Sequence, residues 1–335
     1  MSRPSWMAAA AALLACVSVG TAQPQFRSEV DLVLLTVTVT DREGRPVVGL
    51  GPGDFDVFED AQRQSVALVA VDTVPLDVML LIDASGSMKD RLPVVRQATQ
   101  RVVSMLRPGD RASVAGFTHI VRVLTEFTDD RRALGAALEA LAPHGRTALY
   151  DALYVVLKGW RLPAPRAQVR RRALVVLTDG DDTTSLNTHD EIMDLARGID
   201  VAVYAVSLPP HEPPLDGRPG ARPVLPPTLR QADFELNALT RETGGRAYRA
   251  VSSRELTDLY DHIVRDLSHQ YTLGYVSTDT RRDGRFRGLT VRIPSNPGAV
   301  IRTRAGYYAP GGRPAGVSTP AHRPAAVTAA GARAR

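Results

Sequence analysis

The chain has a single cysteine, Cys16, among its 335 residues. An intrachain disulfide is therefore excluded. Because Cys16 falls in what reads as a leader, thiolate metal ligands and cysteine catalysis are excluded from the mature chain as well. Acidic residues are missing from both ends: Met1–Ala22 carries only Arg3 as a charged residue, and Pro310–Arg335 carries only Arg313, Arg323, Arg333 and Arg335. Those ends hold the whole surplus of 41 Lys and Arg over 36 Asp and Glu, which is a formal +5. The stretch Gln23–Ala309 is formally neutral, so the composition does not support a basic nucleic-acid-binding domain. A long apolar run is lacking too, since Met7–Val19 is too short and too alanine-rich for a membrane span.

What the N-terminus does have is the pattern of an export signal over residues 1–22. Arg3 is followed by the apolar run, with small Gly20 and Ala22 before Gln23. A second reading uses Cys16, since Leu13-Leu14-Ala15-Cys16 resembles a bacterial lipobox, with Leu14 larger than the residue usual there, and would carry a lipid anchor. Both readings send the protein out of the cytoplasm, to the periplasm or the exterior. A 44% hydrophobic and 23% charged composition is ordinary for a soluble protein, and the length suits about two domains.

Residues 23–73 read as a β segment. Val33, Leu35, Val37 and Val39 alternate with Thr36, Thr38 and Thr40, giving one apolar and one partly polar face. Asp41-Arg42-Glu43-Gly44 marks a turn, and Phe55, Val57 and Val66–Val71 continue the style. Over 74–267 strands alternate with helices. Buried strands are expected at Leu76–Ile82, Ala173–Leu177 and Val201–Val206, and neighbouring strands at Arg111–Phe117 and Val121–Phe127. A short strand is expected at Ala247–Arg249. Helices are expected at Leu92–Leu106, Arg131–Leu141, Leu149–Trp160, His189–Arg197, Phe234–Thr243 and Arg254–Ser268. That order is a doubly wound, Rossmann-like α/β sheet.

Strands return over 268–309, at Tyr271–Val276, Arg287–Ile293 and Val300–Arg304. Neither β segment has enough strands to be stable alone, so both are expected to build one small β-sandwich. The rest, 310–335, lacks large apolar residues and reads as a disordered tail. Two interruptions stand out. Arg161–Arg172 carries five arginines and reads as a solvated loop on the edge opposite the strand ends. Pro209–Thr228 carries eight prolines and reads as a solvated excursion loop, not helix or central strand.

The informative residues sit where strands end: Asp83-Ala84-Ser85-Gly86-Ser87, Thr147 in Pro143–Leu149, and Thr178-Asp179-Gly180. Ligands of a doubly wound sheet bind at the carboxyl ends of its strands. Two carboxylates and three hydroxyls would converge there. Such hard oxygen ligands suit Mg²⁺, with Mn²⁺ or Ca²⁺ as alternatives, and Asp83 with Asp179 balances a divalent charge.

Asp83, Ser85, Ser87, Thr147 and Asp179 together resemble the von Willebrand factor type A domain and its metal-ion-dependent adhesion site, whose pattern is Asp-x-Ser-x-Ser, a distant Thr and a distant Asp. Asp-x-Ser-x-Ser alone also suits a helix cap, which would require neither Thr147 nor Asp179. The resemblance implies that the hydroxyls of Ser85, Ser87 and Thr147 touch the metal, with Asp83 and Asp179 holding it directly or through water. It also implies one position left open for an acidic side chain of a protein or peptide partner.

The flanks resemble bacterial proteins with a related domain. The matching residues are Val39-Thr40-Asp41 to Gly44, Gly49-Leu50, Asp54-Phe55, Glu59-Asp60, Leu273-Gly274-Tyr275 and Arg304-Ala305-Gly306-Tyr307-Tyr308. One departure is Arg146 where a second glycine is common; its charge could repel the metal or pair with the partner's acid. Asp181 and Asp182 read as a solvated turn, against an added contribution to metal affinity. His119, His144, His189, His262 and His269 lack metal spacing and read as surface or capping residues.

The reading is thus an exported, non-enzymatic, metal-dependent binding module. The alternatives are a metal-dependent hydrolase and a structural envelope protein with a vestigial site. Against hydrolysis, Asp83-x-Ser85 lacks a second Asp, no Gly-x-Ser-x-Gly elbow occurs, and no motif places a general base.

Overall fold

The computed structural model describes residues 32–71, 73–160, 169–179, 182–208, 227–250 and 253–311. The expected leader with Cys16, the tail from 312 onward, Asp181, residues 161–168 of the arginine segment and 209–226 of the proline segment lie outside the described residues. No described helix is long and apolar enough to cross a membrane.

Four strands come first: β1 (Leu32–Thr40), β2 (Asp56–Glu59), β3 (Gln62–Gln64) and β4 (Val66–Val71). The α/β region follows with β5 (Leu76–Asp83), α1 (Leu92–Ser104), β6 (Arg111–Phe117), β7 (Val121–Thr128), α2 (Arg131–Glu139) and α3 (Leu149–Trp160). It continues with β8 (Arg171–Thr178), α4 (His189–Arg197), β9 (Ala202–Ser207), α5 (Pro227–Glu242), β10 (Arg246–Arg249) and α6 (Ser253–Ser268). The last strands are β11 (Gln270–Val276), β12 (Phe286–Arg292), β13 (Val300–Thr303) and β14 (Gly306–Tyr308).

The α/β region forms one sheet in the order β10-β9-β8-β5-β6-β7, parallel except for the antiparallel edge strand β7. Every residue of β5 is buried, as its mostly apolar run requires of a strand covered on both faces. Side-chain alternation divides that run. Val78, Leu80 and Ile82 pack with α1, α2 and α6, whereas Met79 and Leu81 pack with α3, α4 and α5. The chain leaves β5 toward β6 and β7, then crosses back to β8, β9 and β10. The β5–β8 boundary is therefore the switch point at which such sheets bind ligands.

The strands from both ends of the chain pair as expected. One sheet has the order β13-β1-β11-β4 and the other β14-β12-β2-β3. Val33, Leu35, Val37 and Val39 of β1 are buried together with Val57, Leu273, Leu289 and Val291, so residues from both sheets and both chain ends share one core. The short strands β3 and β14 were not expected from their sequences, which are too brief to show a period.

The flanking motif residues converge in this sandwich. The Glu59 carboxylate accepts hydrogen bonds from Tyr275 Oη (2.7 Å), Tyr307 Oη (2.9 Å), Ser277 Oγ (2.6 Å) and Arg287 Nη1 (3.2 Å). Arg287 and Glu59 are almost fully buried, with side-chain exposures of 4% and 2%. Burial and the bond to Glu59 push the Tyr275 hydroxyl well above the usual phenol range.

Two expectations need correction. Arg170, Arg171 and Arg172 are not a solvated loop. Arg170 pairs with Asp77 at 2.7 Å, Arg172 Nη1 donates to the Trp160 carbonyl at 3.1 Å, and Arg171 is buried with β8 beginning at it. Arg171 donates to the carbonyls of Val74 and Leu267 and to Gln270 Oε1, while Gln270 Nε2 reaches Thr38 and Tyr204. Long guanidinium side chains let a strand begin on arginines when carbonyls and carboxylates surround them. Likewise Pro227 and Thr228 belong to α5, because proline is tolerated in a helix's first turn, where its missing N–H would have no partner.

The Glu59 network carries a prediction. Arg287→Met should destabilise the protein by about 3–5 kcal/mol, since it strands a buried carboxylate, and the double variant Glu59→Leu/Arg287→Met should recover much of that loss. Urea unfolding of the three proteins checks this, and a double variant no better than the single one counts against a shared buried pair.

Candidate functional site

The β5–β8 switch point carries Asp83, Ser85, Ser87 and Asp179, and the loop that bears Thr147 is tied to the same turn. Asp83 ends β5, and its Oδ1 accepts from Ser85 N at 2.9 Å, which turns the chain out of the sheet. Its Oδ2 accepts from Thr178 Oγ1 at 2.9 Å, across the boundary to β8. Ser85 is buried and Ser87 exposed, with their hydroxyl oxygens 3.0 Å apart. The loop between α2 and α3 is pinned to this turn by His144 N to Ala84 O (2.8 Å) and Gly86 N to Gly145 O (3.1 Å). Gly145 takes φ +71°, a left-handed conformation that favours glycine. Two residues on, Thr147 is buried, and Ala148 N is tied to Thr118 O at 2.8 Å.

Asp179 follows Thr178 and is 2% exposed; Asp83 is fully buried. Burial first, and then the charge of Asp179, push the Asp83 carboxyl up to about 6, against the opposing hydrogen bonds from Ser85 and Thr178. Asp179 Oδ1 is buried without a hydrogen-bond partner among the described residues. Arg91 is partly buried nearby; burial lowers its guanidinium, and the field of Asp179 opposes that shift. Its Nη1 lies 3.5 Å from Leu208 O. A buried anionic oxygen without a partner is costly in a folded protein and calls for a compensating group.

The residues present fit a divalent cation as that group. They offer two carboxylates and three hydroxyls, all hard oxygen donors, with a carboxylate oxygen left free. Among the described residues no cluster of three or more His, Cys, Asp or Glu suited to a metal occurs, so any cation here would rest on hydroxyls as well as on the two carboxylates. The histidine nearest in sequence to Thr147, His144, is exposed, with Nδ1 against its own loop's Ala142 carbonyl at 2.8 Å.

Some neighbours were missed or misread from the sequence. Thr178 was visible only as part of Thr178-Asp179-Gly180, yet its hydroxyl orients Asp83. Arg146 Nη2 donates to Thr183 O at 3.1 Å. Asp182 is not a solvated turn residue; its carboxylate accepts from three backbone amides, of Tyr150, Thr184 and Ser185. Nothing in residue spacing signals a cap supplied from a different loop.

Because Asp83 and Asp179 repel each other, Asp179→Asn should stabilise the protein in EDTA by roughly 1 kcal/mol, a melting-temperature rise of about 2–4 °C. Differential scanning calorimetry measures it, and a drop in melting temperature would refute the repulsion.

Comparison with known proteins agrees with this architecture. A UPF0353 protein of Nocardia farcinica is 26% identical over 240 residues, covering 64% of this chain and 66% of that protein. An uncharacterised protein of Synechocystis sp. is 31% identical over 261 residues, covering 73% of this chain and 58% of that one. The chain thus spans less than two thirds of the length of either relative. Among solved structures, a von Willebrand factor type A protein of Catenulispora acidiphila superposes with a TM-score of 0.46 at 13% identity, covering 86% of this chain and 76% of that one. Residues 78–181 match the von Willebrand factor type A domain family. That match opens within β5 and closes just past Asp179, so residues 78–181 are a von Willebrand factor type A domain.

Proposed function

We propose that Asp83, Ser85, Ser87, Thr147 and Asp179 hold a divalent cation, Mg²⁺ foremost with Mn²⁺ or Ca²⁺ as alternatives, as a metal-ion-dependent adhesion site. In this reading the exported protein captures an Asp or Glu carboxylate of a protein or peptide partner and catalyses no reaction. The observation that carries it is Asp179 Oδ1, buried beside Asp83 with no hydrogen-bond partner among the described residues. A bound cation with few direct carboxylates supplies an electrophilic position for an incoming carboxylate oxygen.

The chain's own part is to present the donors. Thr178 and the Ser85 amide hold Asp83 in one orientation, and the paired hydroxyls of Ser85 and Ser87 flank it. Asp179 keeps one oxygen unspent, and the pinned loop presents Thr147. The neutral body between Gln23 and Ala309 argues for a protein surface over a nucleic acid. Export rests on the leader-like N-terminus, with lipid attachment at Cys16 as the alternative route to the envelope.

Mg²⁺ or Mn²⁺ should raise the melting temperature of the wild type, by about 2.7 kcal/mol of stability at a hundredfold excess over Kd, and should leave Asp83→Ala unmoved. An unchanged wild type, or an equal shift in the variant, defeats the cation reading. Partner capture from envelope extract should vanish with EDTA and with Thr147→Ala. Capture surviving both moves the binding surface elsewhere, and turnover of generic phosphoester or peptide substrates would favour the hydrolase instead.

A further inference from the structure

We infer that Asp182 is a positioning residue that locks Thr147 in place, acting as a cap on α3 and not as a ligand of the cation. The inference rests on the reading above for its consequence, though its geometry is independent of any ion. The first N–H groups of a helix have no partner within the helix. In α3 two of them are met from the loop after β8: Tyr150 N donates to Asp182 Oδ2 at 3.1 Å, and Asp151 N donates to Ser185 Oγ at 3.1 Å. A carboxylate there also suits the positive end of the helix dipole.

The loop is gripped in return. Asp151 accepts from Leu186 N (3.0 Å), Asn187 N (2.9 Å) and Asn187 Nδ2 (2.6 Å). Asp182 Oδ1 accepts from Thr184 N (3.1 Å) and Ser185 N (3.0 Å), which folds the loop back on itself. Two carboxylates, one on each segment, thus cap the other's backbone.

Thr147 lies inside this clamp. Its carbonyl accepts from Thr183 N (2.9 Å), Thr183 Oγ1 (3.1 Å) and Thr184 Oγ1 (3.0 Å), and its own N–H reaches Thr183 Oγ1 at 3.3 Å. Both backbone polar groups of the residue are therefore fixed by residues 183 and 184. Asp182 is only three positions beyond Asp179, so the clamp joins the segments that carry two of the five proposed donors. Both Asp182 oxygens already accept from amides of α3 and its own loop. A third anionic ligand would also make the site −3 and leave a divalent cation less electrophilic toward a partner's acid.

The cap and ligand roles separate by substitution. Asparagine keeps one acceptor oxygen, enough to cap Tyr150 N while its amide nitrogen gives up the Thr184 and Ser185 contacts, whereas alanine keeps none. Calorimetric titration with Mg²⁺ alone should show Asp182→Ala weakened about tenfold and Asp182→Asn within about twofold of wild type. Amide hydrogen exchange in EDTA should rise at Tyr150 and Thr183 in Asp182→Ala and stay near wild type in Asp182→Asn. If Asp182→Ala does not fold, Thr184→Val, which removes one hydroxyl from the Thr147 carbonyl, should weaken Mg²⁺ and raise exchange at Thr183 in the same directions. Equal loss of Mg²⁺ in the Asn and Ala variants, or no loss in either, overturns the inference. If the wild type binds no Mg²⁺ the cation reading fails, and the clamp is decided by exchange alone, where unchanged protection in Asp182→Ala defeats it.

Discussion

Two acids at the ends of adjacent buried strands set the terms for the rest of the molecule's upper edge. A parallel sheet delivers Asp83 and Asp179 side by side because β5 and β8 run together in register and stop together. The placement is costly for Asp83, since burial and the charge of Asp179 both oppose its ionisation. The surroundings offset this unevenly. Asp83 receives an amide and a hydroxyl, whereas one oxygen of Asp179 has no hydrogen-bond partner among the described residues.

The opposite end of the domain handles its charges differently. Arg171 reaches two carbonyls and Gln270, and Arg302 pairs with Asp266 at the junction with the sandwich. Glu59 is saturated by two tyrosines, a serine and Arg287. Buried charges held by several partners make rigid, specific joints, even where an apolar core of the same shape would be as stable.

Much of this was legible from residues alone because it depends on period and order. The alternation of Val33, Leu35, Val37 and Val39 names the buried face of β1. The apolar run ending in Asp83 names a central parallel strand, and the likeness to a known five-residue pattern picks out Thr147 across more than sixty positions of chain. What stayed hidden depends on side chains meeting from distant segments. Arg171 looks solvated until Val74, Leu267 and Gln270 are seen around it. Asp182 looks like a turn until Tyr150 is found beneath it. Glu59, Tyr275 and Tyr307 could be matched to a motif, but that they meet was invisible without the fold.

The pairing of β11 has a consequence for how the chain is made. This strand lies between β1 and β4, and Thr38 of β1 finds its neighbour Gln270 only 232 positions later. During synthesis β1 and β4 emerge with no hydrogen-bonded partner for their sheet and must wait while the whole α/β region passes. Such distant pairing closes slowly and leaves strand edges exposed to other chains in the meantime. The sandwich is then the last part to be completed, and its closure by β11 to β14 marks the moment at which an arriving polypeptide becomes a finished protein.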